Sequence, residues 1–187
     1  MRVITGSARG RKLKTLEGND VRPTTDRVKE AIFSVIQFDV QGARVLDLFA
    51  GSGQMGIEAL SRGAKLAVFV DSSKQSLEVV RDNLKTTGLS SASRVVTMDY
   101  QSYLSGCKEQ FDIAFLDPPY GKGILQQALP LLVPKMAAGG IVLCEHPRGE
   151  DMPQKVVDFI LKKQYNYGKI TVSAYRAGSG DERQAEE

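Results

Sequence analysis

The sequence predicts an α/β protein with a doubly wound, mostly parallel sheet of seven strands and a short basic β-hairpin arm at the N-terminus. Three observations support this prediction. Apolar, β-branched segments alternate with segments whose apolar residues recur at helical spacing, which is typical of parallel strands covered on both faces. The last stretch alternates polar and apolar residues around a turn, which indicates a C-terminal antiparallel hairpin. The first stretch holds two extended segments separated by GSARGR.

The predicted elements follow one another in a regular order. Residues 2–5 and 12–15 form the arm, and the first helix covers residues 24–38, with Thr24 or Thr25 as its N-cap. Strands and helices then alternate as RVLDLF, QMGIEALSR, LAVFVD, SKQSLEVVRDNLKTTG, RVVTMD, a short helix at 100–105, FDIAFLD, GILQQALPLLVPKM and GGIVLCEH. The segment FILKKQYNYGKITVSAYR supplies the two antiparallel strands that complete the sheet.

Length and composition are those of a globular protein of ordinary size. The 187 residues are 42% hydrophobic and 25% charged, which is usual for one soluble domain. We divide the chain into the arm, residues 1–20, and a single α/β domain, residues 21–187. The basic N-terminus lacks an apolar signal segment, no apolar run is long enough to span a membrane, and the two cysteines form no redox or metal motif. The sequence therefore predicts a cytoplasmic protein with no membrane partner and no metal.

Acidic residues stand at the ends of all the predicted parallel strands. They are Asp47, Asp71, Asp99, Asp117 and Glu145. Ligands of doubly wound sheets lie beyond the carboxyl ends of the strands. Acids gathered at one rim also repel each other unless a ligand uses them. The sequence therefore predicts a binding site at this rim.

The segment after the first strand has the pattern of a nucleotide-binding glycine turn. It fits G-x-G-x-x-G from Gly51 onward, and Asp71 follows at the distance of a ribose-binding acid. Asp47, just before the turn, would oppose a pyrophosphate but attract the sulfonium and ammonium groups of S-adenosylmethionine. We therefore predict S-adenosylmethionine as the cofactor, with Asp99 accepting from its adenine amino group. The predicted cofactor-binding residues are Asp47, Phe49, Ala50, Gly51, Ser52, Gly53, Asp71, Asp99 and Tyr100.

Two of these acids have simpler alternatives. Asp47 could be a strand-end acid that points into water, and Asp99 could be the N-cap of the following helix.

The fourth strand ends in DPPY, which fits the methylation of an amino group. An exocyclic amine of a nucleobase is a poor nucleophile because its lone pair is delocalised into the ring. A carboxylate and a backbone carbonyl fixed by two prolines can accept its two N–H bonds, and an aromatic ring can stack on a base taken out of its helix. The chemistry would be mostly orientation. The predicted catalytic residues are Asp117, Pro118, Pro119 and Tyr120, although a turn that merely ends a strand would also fit.

Four segments of the chain resemble a known family. They are, in order, MRVITGSARGRKL, VRPTTDRVKEAIFS, VLDLFAGSGQMGIEALSRGA and FLDPPYGKG, and together they extend from residue 1 to residue 123. They resemble the bacterial RsmD-type methyltransferases, which modify N2 of a guanine in 16S ribosomal RNA. The resemblance implies a class I Rossmann-like fold, a monomeric S-adenosylmethionine-dependent rRNA (guanine-N2-)-methyltransferase, and the small ribosomal subunit as partner, with guanine 966 in the usual numbering as target. Some relatives have phenylalanine at the position of Tyr120, which keeps the stacking surface.

Basic residues are concentrated at the start of the chain. The first 29 residues hold eight bases against three acids, an excess larger than the net charge of +3 of the whole chain. Such asymmetry indicates an anionic partner, although an ordinary solvated surface would look the same. The predicted RNA-binding residues are Arg9, Arg11, Lys12, Arg22 and Arg27. Arg22 and the threonines after it could instead hold the methionine end of the cofactor.

Three other functions fit part of the pattern. Adenine N6, or another nucleic-acid amino group, presents the same two N–H bonds as guanine N2. A nicotinamide-dependent oxidoreductase would explain the glycine turn but leaves DPPY without a role. A non-catalytic rRNA-binding assembly factor would explain the basic arm but not the acidic rim.

Overall fold

The computed structural model describes residues 1–16 and 25–178. The predicted RNA-binding residue Arg22 lies outside the described residues. The strands are β1 (Arg44–Leu48), β2 (Leu66–Asp71), β3 (Ser93–Thr97), β4 (Phe111–Leu116), β5 (Met136–Pro147), β6 (Lys155–Val156), β7 (Phe159–Tyr167) and β8 (Ile170–Ala177). The α-helices are α1 (Asp26–Val35), α2 (Gln54–Ser61), α3 (Lys74–Thr87), α4 (Tyr100–Gly106) and α5 (Ile124–Leu132).

The strands form one sheet in the order β3-β2-β1-β4-β5-β8-β7-β6. The first five pair in parallel, and the last three add antiparallel strands beyond β5. This confirms the predicted Rossmann-like α/β fold, but the sheet has eight strands, so the prediction of seven is wrong. The additional strand is β6, whose two residues are too few to show any alternation in the sequence. The chain order reverses between β1 and β4, which is where ligands bind in doubly wound sheets.

Local sequence explains the helix boundaries. The Thr25 side chain accepts a hydrogen bond from the Val28 N–H, so Thr25 is the N-cap of α1. Ser73 caps α3 in the same way, and α3 ends at Gly88, whose φ of 74° is left-handed. Pro130 lies in the last turn of α5, which ends at Leu132. No helix among the described residues is long and apolar enough to cross a bilayer.

The sheet separates two apolar layers. In β1, and in β4 from Ile113 onward, residues of odd number such as Val45 and Phe115 pack with α1, α2, α3 and the arm. Residues of even number, such as Leu46 and Leu116, pack with α4 and α5. This alternation follows from the pleat of the strands, and it decides toward which layer the strand-end acids point.

The N-terminal arm is a hairpin that packs against the first layer. Its strands meet at the Arg2–Lys12 bridge, and its apolar side chains Val3, Ala8 and Leu13 are buried in the core. A Cβ at Gly6 would collide with the backbone carbonyl of Ser61. The absence of a side chain at Gly6 therefore lets the arm lie directly on the end of α2.

A buried ion pair fastens the arm. The backbone N–H groups of Ile4 and Thr5 donate to the Glu58 carboxylate at 2.8 and 3.0 Å. The Lys29 ammonium lies 3.6 Å from the same carboxylate, and neither side chain is exposed. Lys29 also donates to the Arg2 carbonyl at 2.6 Å. The arm is therefore held by α1 and α2 together.

Candidate active site

Three carboxylates come together at the carboxyl ends of β1, β4 and β5. The register pairs Asp47 with Phe115, which precedes Asp117 by two residues. Phe115 in turn pairs with Leu143, which precedes Glu145 by two residues. Because side chains two apart point to the same face, Asp47, Asp117 and Glu145 all face the layer that holds α2.

The electrostatics of this group follow from burial and proximity. Burial raises the pKa of Asp117 well above its ordinary value, and the charges of Glu145 and Asp47 raise it further. Burial also raises the pKa of Asp47 to about 7. The charge of Asp71 raises this pKa further, whereas the hydrogen bond from the Gly56 N–H lowers it. The rim therefore holds carboxylates that are stronger proton acceptors than aspartates in water.

Asp47 does not point into water. Asp47 is only 4% exposed, and its carboxylate accepts the Gly56 N–H at 2.9 Å. Gly56 lies in the first turn of α2, where backbone N–H groups lack partners within the helix. Asp47 therefore fixes the start of α2 next to the glycine turn.

The glycine turn is shaped by left-handed backbone. The φ angles are 68° at Phe49, 55° at Gly51 and 77° at Gly53. The Asp71 carboxylate accepts the Gly51 N–H at 2.9 Å through one oxygen and the Ser73 N–H at 2.9 Å through the other. Asp71 thus joins the turn to the end of β2, and its oxygens keep further lone pairs for a ligand.

The space around the glycines differs in a way that fits a cofactor. A Cβ at Gly56 would collide with the Phe69 ring, so this glycine permits helix–sheet packing. A Cβ at Gly51 would meet nothing within 4 Å. The Gly51 backbone is therefore open to close approach by a ligand. The assignment of Asp47 to Gly53 and Asp71 to the cofactor stays a prediction.

Asp99 is the N-cap of α4. Its side chain is exposed and accepts the Ser102 N–H at 2.9 Å, which lowers the pKa of Asp99. Beside it, the Tyr100 ring packs on the Phe49 ring at a centroid distance of 5.3 Å. The predicted cofactor residues Phe49 and Tyr100 therefore form an aromatic pair that crosses the end of β2.

The DPPY segment places its tyrosine over the acids. Pro118 is buried and Pro119 is exposed, and Tyr120 is 37% exposed. The Tyr120 hydroxyl donates to the Glu145 carboxylate at 3.1 Å. The ring is thereby held at its hydroxyl while part of its surface stays exposed.

The sequence did not reveal Asn83 as part of this region. Its buried amide donates to the carbonyls of Ser52 and Lys14, both at 3.0 Å, and accepts the Lys14 N–H at 2.8 Å. Asn83 therefore joins the arm to the glycine turn. The sequence signal for Asn83 is its position in α3, where a polar residue lies between Val80 and Leu84 on the apolar face.

The predicted RNA-binding residues of the arm lie on its outer surface. Arg9, Arg11 and Lys12 are exposed, as is Arg27 in the first turn of α1. The hairpin tip contacts Ser61, the last residue of α2. The eight residues of α2 separate this end from the glycine turn by about 12 Å. The tip of the arm therefore lies at the far end of α2 from the glycine turn, whereas the arm at Lys14 is joined to that turn through Asn83.

A glycine turn at the switch point of this sheet, followed by DPPY at the end of the neighbouring strand, defines a class: the S-adenosylmethionine-dependent methyltransferases of the Rossmann type. The family model described as conserved hypothetical protein 95 matches residues 1–176. The chain belongs to this family, that of the RsmD-type methyltransferases. No cluster of three or more potential metal-ligating side chains occurs in the described part of the chain.

Relatives of this chain agree with that membership. It is 40% identical to the putative rRNA methyltransferase YlbH of Bacillus subtilis (strain 168) over 181 residues, which cover 94% of this chain and 98% of that protein. It is 31% identical to ribosomal RNA small subunit methyltransferase D of Escherichia coli (strain K12), over 100% of this chain and 94% of that protein. Among solved structures, the putative methyltransferase yhhF from Escherichia coli superposes with a TM-score of 0.85 at 31% identity, covering 95% of this chain and 97% of that chain.

The raised pKa of Asp47 predicts a pH dependence of stability. An unfolded chain releases this proton near the ordinary value of 3.8, whereas the folded chain keeps it up to about pH 7. Folding therefore becomes less favourable as pH rises between these values, by up to about 1.4 kcal/mol per pH unit. Asp47→Asn cannot ionise and keeps an oxygen for the Gly56 N–H. We expect this variant to gain stability relative to wild type between pH 4 and 7.

Urea unfolding of both proteins at pH 4.5 and pH 7.5 measures this gain. A stability difference that is the same at both pH values would contradict the burial of an ionisable Asp47.

Proposed function

We propose that this chain transfers a methyl group from S-adenosylmethionine to the exocyclic N2 amine of a guanine in 16S rRNA, at guanine 966 in the usual numbering. The observation that carries the proposal is the juxtaposition of Asp117 and Tyr120 with the glycine turn at one switch point. The names of the relatives support an rRNA substrate. The resemblance in the DPPY and arm segments supports guanine N2.

The residues of the rim divide the work between cofactor and base. The cofactor supplies an electrophilic methyl group on a sulfonium that leaves readily. Asp71 provides negative charge and hydrogen-bond acceptors beside the open backbone of Gly51, and Asp47 holds the start of α2 next to it. Phe49 and Tyr100 provide an aromatic surface for an adenine ring.

Asp117 and the Pro118 carbonyl would then orient the target amine. Two acceptors that take its two N–H bonds direct the nitrogen lone pair away from them, toward the methyl group. The methylated nitrogen must lose a proton, and the Asp117 carboxylate can take it because burial raises the pKa of Asp117. The accessible Tyr120 ring supplies the face on which the flipped base stacks.

The direct test is to identify the product. Purified protein, S-adenosylmethionine and small ribosomal subunits that lack the modification are incubated, and the rRNA nucleosides are analysed by mass spectrometry. N2-methylguanosine is the expected product, whereas N6-methyladenosine would favour the adenine alternative. Binding to the subunit without any methyl transfer would favour the assembly-factor alternative.

RNA binding is assigned to the outer surface of the arm. Replacing Arg9, Arg11 and Lys12 with alanine should weaken binding to the small subunit and flatten its salt dependence, because each lost phosphate contact removes about one unit from the slope of log K against log salt. S-adenosylmethionine affinity should not change, because the three side chains are exposed and are not among the predicted cofactor-binding residues. Fluorescence titration at several salt concentrations measures the slope.

A matched control removes three exposed bases elsewhere. The variant Lys65→Ala, Arg81→Ala, Lys85→Ala has the same change in charge. If both triple variants lose affinity and slope equally, the arm has no special role in RNA binding.

A further inference from the structure

One face of β7 carries two tyrosines and a lysine that the proposed mechanism does not use. Tyr165 and Tyr167 are half-buried against the first apolar layer, and Lys163 is exposed on the same strand. The Lys163 ammonium lies 5.1 Å from the centre of the Tyr165 ring. Side chains two residues apart in a strand share one face of the sheet. These three side chains therefore form a single surface, which we call the β7 face.

The strand register places the β7 face beside the acidic rim. Glu145 pairs with Val172 of β8, and Val172 pairs with Tyr165. Residues paired in this way point to the same side of the sheet, and neighbouring strands are about 4.8 Å apart. The Tyr165 backbone therefore lies about 10 Å from that of Glu145, on the side of the sheet toward which Asp117 also points.

The charge near the β7 face is positive. The Arg148 N–H donates to the Lys169 carbonyl at 2.9 Å, so these two exposed bases lie side by side, just beyond the ends of β5 and β7. Gln126 of α5 donates to the Glu150 carboxylate at 3.3 Å and to the Asp151 carbonyl at 3.2 Å. Because α5 packs on the other layer, the Glu150 carboxylate is held toward that layer. An anionic ligand is therefore favoured on the β7 face.

Aromatic rings beside cationic side chains fit single-stranded RNA. Unstacked bases lie on aromatic rings, while lysine and arginine contact the phosphates. Enzymes that act on a flipped base also contact the nucleotides that flank it, and the β7 face lies next to the rim where the target base is proposed to bind. A protein partner fits less well, because lysines are depleted in protein–protein interfaces.

We propose that the β7 face binds the RNA nucleotides adjacent to the target base, with its two tyrosines stacking on the flanking bases. Lys163, Arg148 and Lys169 contact the phosphates between them. This inference rests on the proposed function and adds a second RNA-binding surface to that of the arm. The sheet order places β7 on the β5 side of the rim, whereas the arm is attached to α2 and α3, which pack on β2. RNA held by both surfaces would therefore cross the rim.

Replacing both tyrosines with leucine tests the stacking. The double variant Tyr165→Leu, Tyr167→Leu keeps apolar side chains against the first layer but removes the rings. We expect binding to the small subunit to weaken at least about tenfold, which is the usual scale of loss for a stacked base. KM for the subunit should rise, whereas S-adenosylmethionine affinity by calorimetry should not change.

A matched control keeps the rings. The double variant Tyr165→Phe, Tyr167→Phe should bind the subunit like wild type, because stacking needs the ring and not the hydroxyl. Urea unfolding of both double variants reports their stability. A loss of subunit binding that both double variants share equally would overturn the stacking role.

A photocrosslink identifies what occupies the surface. p-Benzoylphenylalanine is introduced in place of Tyr165, and the protein is irradiated in complex with the small subunit. The expected crosslinks are to 16S rRNA nucleotides next to the methylated guanine. Crosslinks to a ribosomal protein, to a second copy of this chain, only to distant RNA, or to nothing would overturn the inference.

The outcomes distinguish this inference from the proposed function. If wild type methylates the subunit and the leucine variant binds and methylates it equally well, the β7 face does not hold RNA while the methyltransferase assignment stands. If wild type does not methylate the subunit, the proposed function fails, and the inference fails with it. A loss confined to the leucine variant, together with crosslinks beside the target guanine, supports the inference.

Discussion

Asp117→Ala is expected to lower the rate of methyl transfer at least about a hundredfold while leaving S-adenosylmethionine affinity close to wild type. The loss should be large because Asp117 both orients the amine and accepts its proton, and misplaced reacting groups commonly lose this much rate. The cofactor affinity should remain because the glycine turn is held by Asp71 and Asn83. Single-turnover assays give the rate, and calorimetry gives the affinity.

A graded variant sharpens this result. Asp117→Asn keeps one oxygen but puts an N–H donor against the amine, so its rate should also be low. Equal losses of affinity and rate in Asp117→Ala would instead make DPPY a structural turn that shapes the cofactor site.

Glu58→Leu is expected to destabilise the fold by about 3–5 kcal/mol. The substitution leaves the Lys29 ammonium buried without its carboxylate, which is the usual penalty for breaking a buried ion pair. It also removes the acceptor of the Ile4 and Thr5 N–H groups. Burial already lowers the pKa of Lys29, although the charge of Glu58 opposes this effect. Urea unfolding measures the change.

Hydrogen exchange at the Ile4 and Thr5 amides should accelerate in the same variant, because the arm loses its attachment to α2. The control is Asp82→Asn, which breaks the ion pair between Asp82 and Lys14, whose side chains are 55% and 65% exposed. Solvent-exposed pairs contribute little, so this variant should resemble wild type. A Glu58→Leu protein as stable as that control would show that the arm does not depend on the buried pair.

Local signals predicted most of the fold. Thr25 caps the start of α1 and Gly88 ends α3 through interactions within one helical turn, so a short stretch of sequence is enough to predict them. The same holds for the glycine turn and for DPPY, whose geometry depends on adjacent backbone angles. The β6 strand was missed because its identity comes only from pairing with β7.

The sequence predicts a set of site residues but not their arrangement. Asp99 stays a predicted acceptor for the adenine amino group, and its carboxylate also accepts the Ser102 N–H as the cap of α4. The Asp47 carboxylate accepts the Gly56 N–H within the core. Both positions depend on how a helix end meets a strand end, which no single segment specifies.

The sequence by itself determined the α/β class, the succession of strands and helices along the chain, the glycine turn and the DPPY segment. Each of these follows from periodicity or from the backbone preferences of neighbouring residues. Tertiary structure alone decided that the arm lies on α2, since Glu58 is more than fifty residues from the amides that it binds. It also decided that Glu145 lies against Tyr120 and beside Asp117, because only the pairing of β4 with β5 brings these side chains together.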